Sequence, residues 1–156
     1  MKVKEIMSRD ITTIKPDRPL LELVKFFGQP TIGGLPVVED SGNIVGIVTM
    51  MGIIGHFLPH SPLLLQEFIS CKDESAEVNI LSVDWENTKA EDIMEKRITI
   101  ISEEESIIRA AALFYELKVR MLPVVNQARE LIGVVTLSDI CNGIHKMISN
   151  MLCSED

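Results

Sequence analysis

Laid against itself at an offset of 87 residues, the sequence matches in one gapless stretch, with residues 3–57 falling on residues 90–144. The matches sit where conformation is decided. Ile6-Met7 meets Ile93-Met94, Ile11-Thr12 meets Ile98-Thr99, and Leu35-Pro36-Val37-Val38 meets Leu122-Pro123-Val124-Val125. Gly46, Val48 and Thr49 then meet Gly133, Val135 and Thr136. Such a register marks an internal duplication. A unit of about 55 residues is too small to bury both faces of its own elements, so the two copies are expected to pack on one another.

Within each copy the periodicities agree. Leu20, Leu23, Val24 and Phe27 take i, i+3, i+4, i+7 spacing, as do Ile107, Ala110, Ala111 and Phe114, which predicts one amphipathic helix per copy. In the second copy two helix starts compete: Ser102, with Glu105 three residues on as a capping box, and Ser106. Residues 35–39 and 44–49 are β-branched runs flanking Asp40-Ser41-Gly42-Asn43, a hairpin signal. The second copy repeats these runs over 122–126 and 131–136, but Gln127-Ala128-Arg129-Glu130 is a weak turn, so the repeat carries that assignment. Apolar helical segments follow at 50–57 and 138–151, and short extended runs precede at 11–14 and 98–101. The order predicted for each copy is strand, helix, strand, strand, helix, in a mixed α/β (α+β) fold. The boundaries are residues 1–57 for the first copy, 58–89 for a linker and 90–153 for the second. In the linker, Pro59 and Pro62 break the preceding helix, residues 63–69 form a short one, and Trp85 is assigned foremost to packing.

Composition excludes several classes. Hydrophobic residues at 46% and charged residues at 24% describe a chain that folds, not a disordered one. A net charge of -8 argues against nucleic acid or an anionic membrane as partner. The most apolar stretch, residues 44–58, falls short of the roughly 20 residues that cross a bilayer. The first ten residues include Glu5, Arg9 and Asp10, unlike a secretory signal, so a cytoplasmic location is expected. Cys71, Cys141 and Cys153 form no paired spacing. His56 and His60 stand four apart, but Pro59 would break a helix between them, and no metal site is expected. With no P-loop, nucleophile elbow or Cys-His pairing, the chain is not expected to be an enzyme.

Thr136, Ser138 and Asp139 fall where a strand becomes a helix. Free backbone N–H groups and the helix dipole collect there and favour an anion, and hydroxyls donate to it. A carboxylate with two acceptor oxygens suits a vicinal diol. On spacing alone a plainer role is favoured, with Ser138 capping the helix and Asp139 stabilising its first turn.

The duplicated pattern resembles the CBS domain pair, or Bateman module. The residues that carry the resemblance are the openings Glu5-Ile6-Met7 and Asp92-Ile93-Met94, the two Leu-Pro-Val-Val segments, and the run from Gly133 through Thr136, Ser138, Asp139 and Ile140. It implies two β-α-β-β-α units packed through their sheets with pseudo-twofold symmetry. It also implies clefts that bind adenosine compounds as regulatory ligands, of the AMP, ADP or ATP class, or S-adenosylmethionine as the alternative. A homodimer and a separate effector protein are expected on the same ground. The competing reading is a ligand-independent dimerisation or interaction scaffold. Carried over by position, Asp139, Thr136 and Ser138 would meet ribose and phosphate, and Met7, Thr12 and Ile32 would line the base. Arg120 would approach phosphate. The first copy departs from the pattern, since Gly52 stands where the second has Asp139, and Gly33-Gly34 where it has Arg120-Met121. One nucleotide site per chain is therefore expected.

Overall fold

A computed structural model describes residues 1–28, 33–58, 60–70 and 82–152. After a 3-10 turn at Val3–Glu5, the first copy runs α1 Leu20–Phe27, β1 Leu35–Val38, β2 Ile44–Val48 and α2 Met50–Phe57. Helix α3, Pro62–Ser70, lies in the linker. The second copy runs α4 Ala90–Ile93, β3 Ile101–Ser102, α5 Ile107–Leu117, β4 Met121–Val125, β5 Leu131–Thr136 and α6 Leu137–Leu152.

The amphipathic spacing produces the expected helices. Helix α5 buries Ile107, Ala110 and Phe114, whereas α1 buries Leu20 and Leu23 but leaves Val24 42% exposed, so its stripe is narrower than its pattern. Each fully buried leucine contributes about 1.5–3 kcal/mol. Of the two starts for α5, the chain uses Ser106, whose Oγ accepts the Arg109 N–H at 3.1 Å. Ser102 instead accepts from Glu104 N–H at 3.3 Å in the turn before it.

Both hairpins form, β1 with β2 and β4 with β5, antiparallel and in equivalent registers, Leu35 opposite Val48 and Leu122 opposite Val135. The weak second turn has a local explanation. Gly42 has φ +86, and the equivalent Arg129 holds φ 65 despite its side chain. Asn126 supports it there, its Oδ1 accepting Glu130 N–H at 3.0 Å and its Nδ2 donating to Glu130 Oε2 at 2.7 Å. The extended runs contract to their ends. β3 is Ile101–Ser102, parallel to β4, and in the first copy Ile14 makes a lone parallel bridge to Val37.

The two copies are joined by exchanging their openings. Val3 N–H donates to Glu105 O at 2.9 Å and Ala90 N–H to Arg18 O at 2.9 Å, contacts equivalent under the 87-residue offset. Ser8 bridges Val134, and its counterpart Glu95 bridges Ile47, which adds one residue of each opening to the other copy's sheet. Asn43 bridges Glu130, its own counterpart, so that contact lies on the pseudo-twofold axis. The cores mix accordingly. Val3 and Met7 are buried with Ile101, Ile107, Leu122, Val135 and Ile140, whereas Ala90 is buried with Leu20, Leu35, Val37 and Val48. Trp85 packs on the second of these cores, its ring 6.1 Å from Phe57.

Two glycines make the exchange fit. A Cβ on Gly133 would stand 2.8 Å from Ser8 O and 3.0 Å from Met7 Sδ, and one on Gly46 would stand 2.5 Å from Met94 Sδ. Only a residue without a side chain lets the opening strand approach this closely.

Candidate ligand-binding cleft

Where the opening of the first copy crosses the end of β5, a cavity of about 390 Å³ remains. One wall is the run Ser8, Asp10, Ile11 and Thr12, and the opposite wall is Val134, Thr136 and Asp139. Gly33, Gly34 and Met121 are also part of its lining. The volume falls in the range of small-molecule sites.

The strand-to-helix junction sets the geometry of the polar wall. Thr136 donates to Asp139 Oδ2 twice, from its backbone N–H at 2.8 Å and from Oγ1 at 2.7 Å. Asp139 N–H returns a long bond to Thr136 Oγ1 at 3.4 Å. This is a capping box with Thr136 as the cap and Asp139 three residues on. Ser138, the expected cap, is exposed in the first turn and makes no such bond. The box fixes the carboxylate rotamer, engages Oδ2 and leaves Oδ1 without a partner among the described residues. A diol reaching this carboxylate would meet Oδ1, whose two lone pairs can each take a hydroxyl hydrogen, because Thr136 already fills both acceptor sites of Oδ2.

Of the residues picked out in the sequence, the cavity brings together Thr12, Thr136 and Asp139. Met7 is 9% exposed and packs in the core, its sulfur against Gly133, not along the cavity lining. Arg120 is exposed and outside the lining, although its Cβ lies 3.7 Å from where a Gly33 Cβ would stand. Ile32 lies outside the described residues. Sequence reasoning missed Ser8 and Asp10. Their signal was the alternation Ser8, Asp10, Thr12 along an extended run, which places every second residue on one side.

A second concavity of about 590 Å³ lies against α2, α3 and residues 82–88, with His56, His60, Glu67 and Asp84 on its wall. Asn87 donates to both oxygens of Asp84 at 3.0 Å, holding its carboxyl below the usual carboxylate range. Among the described residues no group of three His, Cys, Asp or Glu is placed to hold a metal ion. No helix of the described residues is long and apolar enough to cross a membrane. Cys141 is exposed and unpaired, and Cys71 and Cys153 lie outside the described residues.

The sequence profile of the CBS domain matches residues 3–58 and again residues 90–146. The chain belongs to the CBS domain family. As a CBS domain pair it is similar to an uncharacterised protein of Methanocaldococcus jannaschii, 28% identical and covering 92% of this chain and 91% of that one. Its fold matches that of CBSX2 from Arabidopsis thaliana, solved in complex with AMP, with a TM-score of 0.71 at 21% identity, covering 94% of this chain and 97% of that one. It also matches the CBS domain pair of protein MJ0100, solved with 5'-methylthioadenosine and S-adenosyl-L-methionine, with a TM-score of 0.68 at 22% identity, covering 94% and 98%.

In this CBS domain pair the two strand-to-helix junctions are not alike. Thr49, the counterpart of Thr136, accepts the Gly52 N–H at 3.0 Å, and Gly52 offers no carboxylate in return.

Proposed function

We propose that this CBS domain pair is a regulatory module that binds an adenosine compound in the Asp139 cleft and is not itself catalytic. The reading rests on one observation: the cleft sets Asp139, with Oδ1 unengaged, and Thr136 opposite the run Ser8 to Thr12. A ribose on Asp139 directs a base toward Thr12 and the backbone beside it, between the opening of one repeat and the helix start of the other. Ile32, next to Gly33 in sequence, belongs to the base end of the same reading, and Met7 supports it from behind the wall. Ser138, next to Asp139 in sequence, and Arg120, whose Cβ lies 3.7 Å from where a Gly33 Cβ would stand, belong to the ribose and phosphate end of the same reading. Two solved structures of this fold bind adenosine compounds, which supports the same class here.

A bound ligand changes the spacing of the two repeats, because each wall of the cleft belongs to a different one. That change is the signal passed to a separate effector protein in the cytoplasm. The exposed apolar residues Leu21, Val24, Met51, Ile54 and Ile108 on α1, α2 and α5 support a homodimer. Light scattering of the purified protein tests that part.

Thermal melting tests the ligand. A compound that binds only the native state at one hundred times its dissociation constant adds about 2.7 kcal/mol. Melting of nucleotide-free protein is expected to rise with at least one of 5'-methylthioadenosine, AMP, ADP, ATP and S-adenosylmethionine. Asp139→Ala is expected to remove that rise, while its own melting falls by the cost of a lost cap, about 1 kcal/mol. Flat curves with all five compounds overturn the proposal and leave a ligand-independent scaffold.

A further inference from the structure

Among the described residues, the walls of the Asp139 cavity contain two carboxylates, Asp10 and Asp139, and no lysine, arginine or histidine. Asp10 is exposed; among the described residues Ser8 Oγ donates to its backbone carbonyl at 3.3 Å, and its carboxylate is left free to face a ligand. The 87-residue offset shows how particular this is. The counterpart of Asp10 is Arg97 and that of Gly33 is Arg120, while that of Ser8 is Glu95, so the equivalent positions carry two cations and one carboxylate. By sequence position, then, the counterparts of this acidic wall are net basic.

We infer that the Asp139 cleft selects an adenosine compound carrying positive or no charge beyond the ribose, with a sulfonium nucleoside favoured, and that Asp10 is the residue that enforces this. The inference rests on the proposed adenosine site and concerns the group attached at the 5' end of the ribose. Two carboxylates in a partly enclosed cleft repel a phosphate and attract a sulfonium or ammonium group. A pair of unit charges about 6 Å apart at a dielectric between surface and bulk values changes affinity on the order of tenfold.

The experiment is calorimetric titration of the whole chain with S-adenosylmethionine, S-adenosylhomocysteine, 5'-methylthioadenosine and AMP, repeated on Asp10→Asn. The first two compounds share a skeleton and differ in the sulfonium charge; the last two differ in carrying a thioether or a phosphate. The parent is expected to bind S-adenosylmethionine about tenfold tighter than S-adenosylhomocysteine, and 5'-methylthioadenosine tighter than AMP. In Asp10→Asn the first preference is expected to shrink to about threefold or less and AMP to gain about tenfold, with 5'-methylthioadenosine unchanged. Because the Asp10 carboxylate makes no hydrogen bond or ion pair among the described residues, the variant is expected to fold as the parent does.

If AMP binds the parent as tightly as 5'-methylthioadenosine, in a manner lost in Asp139→Ala, the charge inference falls and the adenosine site stands. That result would mean that Arg120 turns into the cleft. If preferences are as expected but unaltered in Asp10→Asn, the assignment of selectivity to Asp10 falls. If none of the four binds, the adenosine site falls as well.

Discussion

Among the described residues, the carboxy-terminal repeat has three paired strands, an 11-residue α5 and a 16-residue α6, whereas its amino-terminal counterpart has two paired strands and an α1 and α2 of eight residues each. The same inequality reaches the two helix starts at the clefts. One is closed by a reciprocal Thr136–Asp139 box, the other by a single bond from Gly52 to Thr49. A duplication supplies two copies of a frame, and each copy then needs only part of it. The carboxy-terminal helix start holds a rigid acidic wall, and the amino-terminal one is free of that constraint. The exchange of openings is what both copies retain, because neither core closes without the other's Val3 or Ala90.

The glycines under the exchanged openings give the largest effect. In Gly133→Ala the new methyl meets backbone, Ser8 O at 2.8 Å, which cannot turn aside. In Gly46→Ala it meets mainly the Met94 side chain, at 2.5 and 2.8 Å, with Glu95 O at 3.1 Å. A methionine end can swing away. We expect Gly133→Ala to cost about 2 kcal/mol and Gly46→Ala roughly half of that, read from urea unfolding of both variants. Equal costs would mean that the two crossings are equally tight, and the asymmetry would then be confined to the helix starts.

The duplication was legible because its register repeats at Leu-Pro-Val-Val and at the Gly-x-Val-Thr endings, which fix hairpin positions whatever the turn chemistry. The second turn shows the limit of local reading. Arg129 in a left-handed conformation is a poor signal by itself, and the Asn126 side chain that sustains it is three residues away. Val24 carries the right spacing but is left 42% exposed by the described residues, a fact of packing that periodicity along one helix does not contain. The exchange of openings was equally hidden, since nothing local distinguishes Val3 packing on its own copy from Val3 packing on the other. At the cleft, Asp139 and Thr136 were legible as a strand-to-helix junction. Asp10 was not, because an aspartate in an extended run gains meaning only when the opposite wall is known.

Gly52→Asp tests the difference between helix starts directly. A Cβ at Gly52 would stand 3.4 Å from Ile93 O and 3.4 Å from Thr49 Oγ1, ordinary contact distances. The substitution removes a glycine from a helix and adds a carboxylate three residues after a threonine cap, as Asp139 follows Thr136. Each change stabilises by a fraction of a kcal/mol, and together we expect a gain of about 1 kcal/mol in thermal melting. A loss of stability would show that the amino-terminal junction differs in backbone shape as well as in side chain. The same variant sharpens the functional contrast: if a carboxylate is what the second cleft lacks, its adenosine stoichiometry should rise from one toward two per chain.

The smallest effect concerns the openings' outer ends. Lys2 and Lys4 both donate to Glu104, at 2.5 and 2.6 Å, and these two bonds, more than the charges themselves, lower the Glu104 carboxyl from 4.5 to about 2. The counterpart cannot form the same clamp, because Glu91 stands in place of Lys4 and Lys89 lies 3.9 Å from Glu91. Glu104 has the lower value in the folded chain, so its stabilisation is present above about pH 4.5 and is lost as pH falls toward 2. All three side chains are well exposed, so solvent and salt screen the clamp and its share of stability is small. The titration itself is the sensitive readout. Carboxyl chemical shifts are expected to place the Glu104 midpoint near 2 at low salt and to move it upward in Lys2→Ala, in Lys4→Ala and in molar salt. An ordinary midpoint in the parent would mean that the amino-terminal opening is held by its backbone bonds without help from the lysines, those to Glu103 and Glu105 matching the bonds of its counterpart to Pro16 and Arg18, and the two crossings would then be electrostatically equivalent.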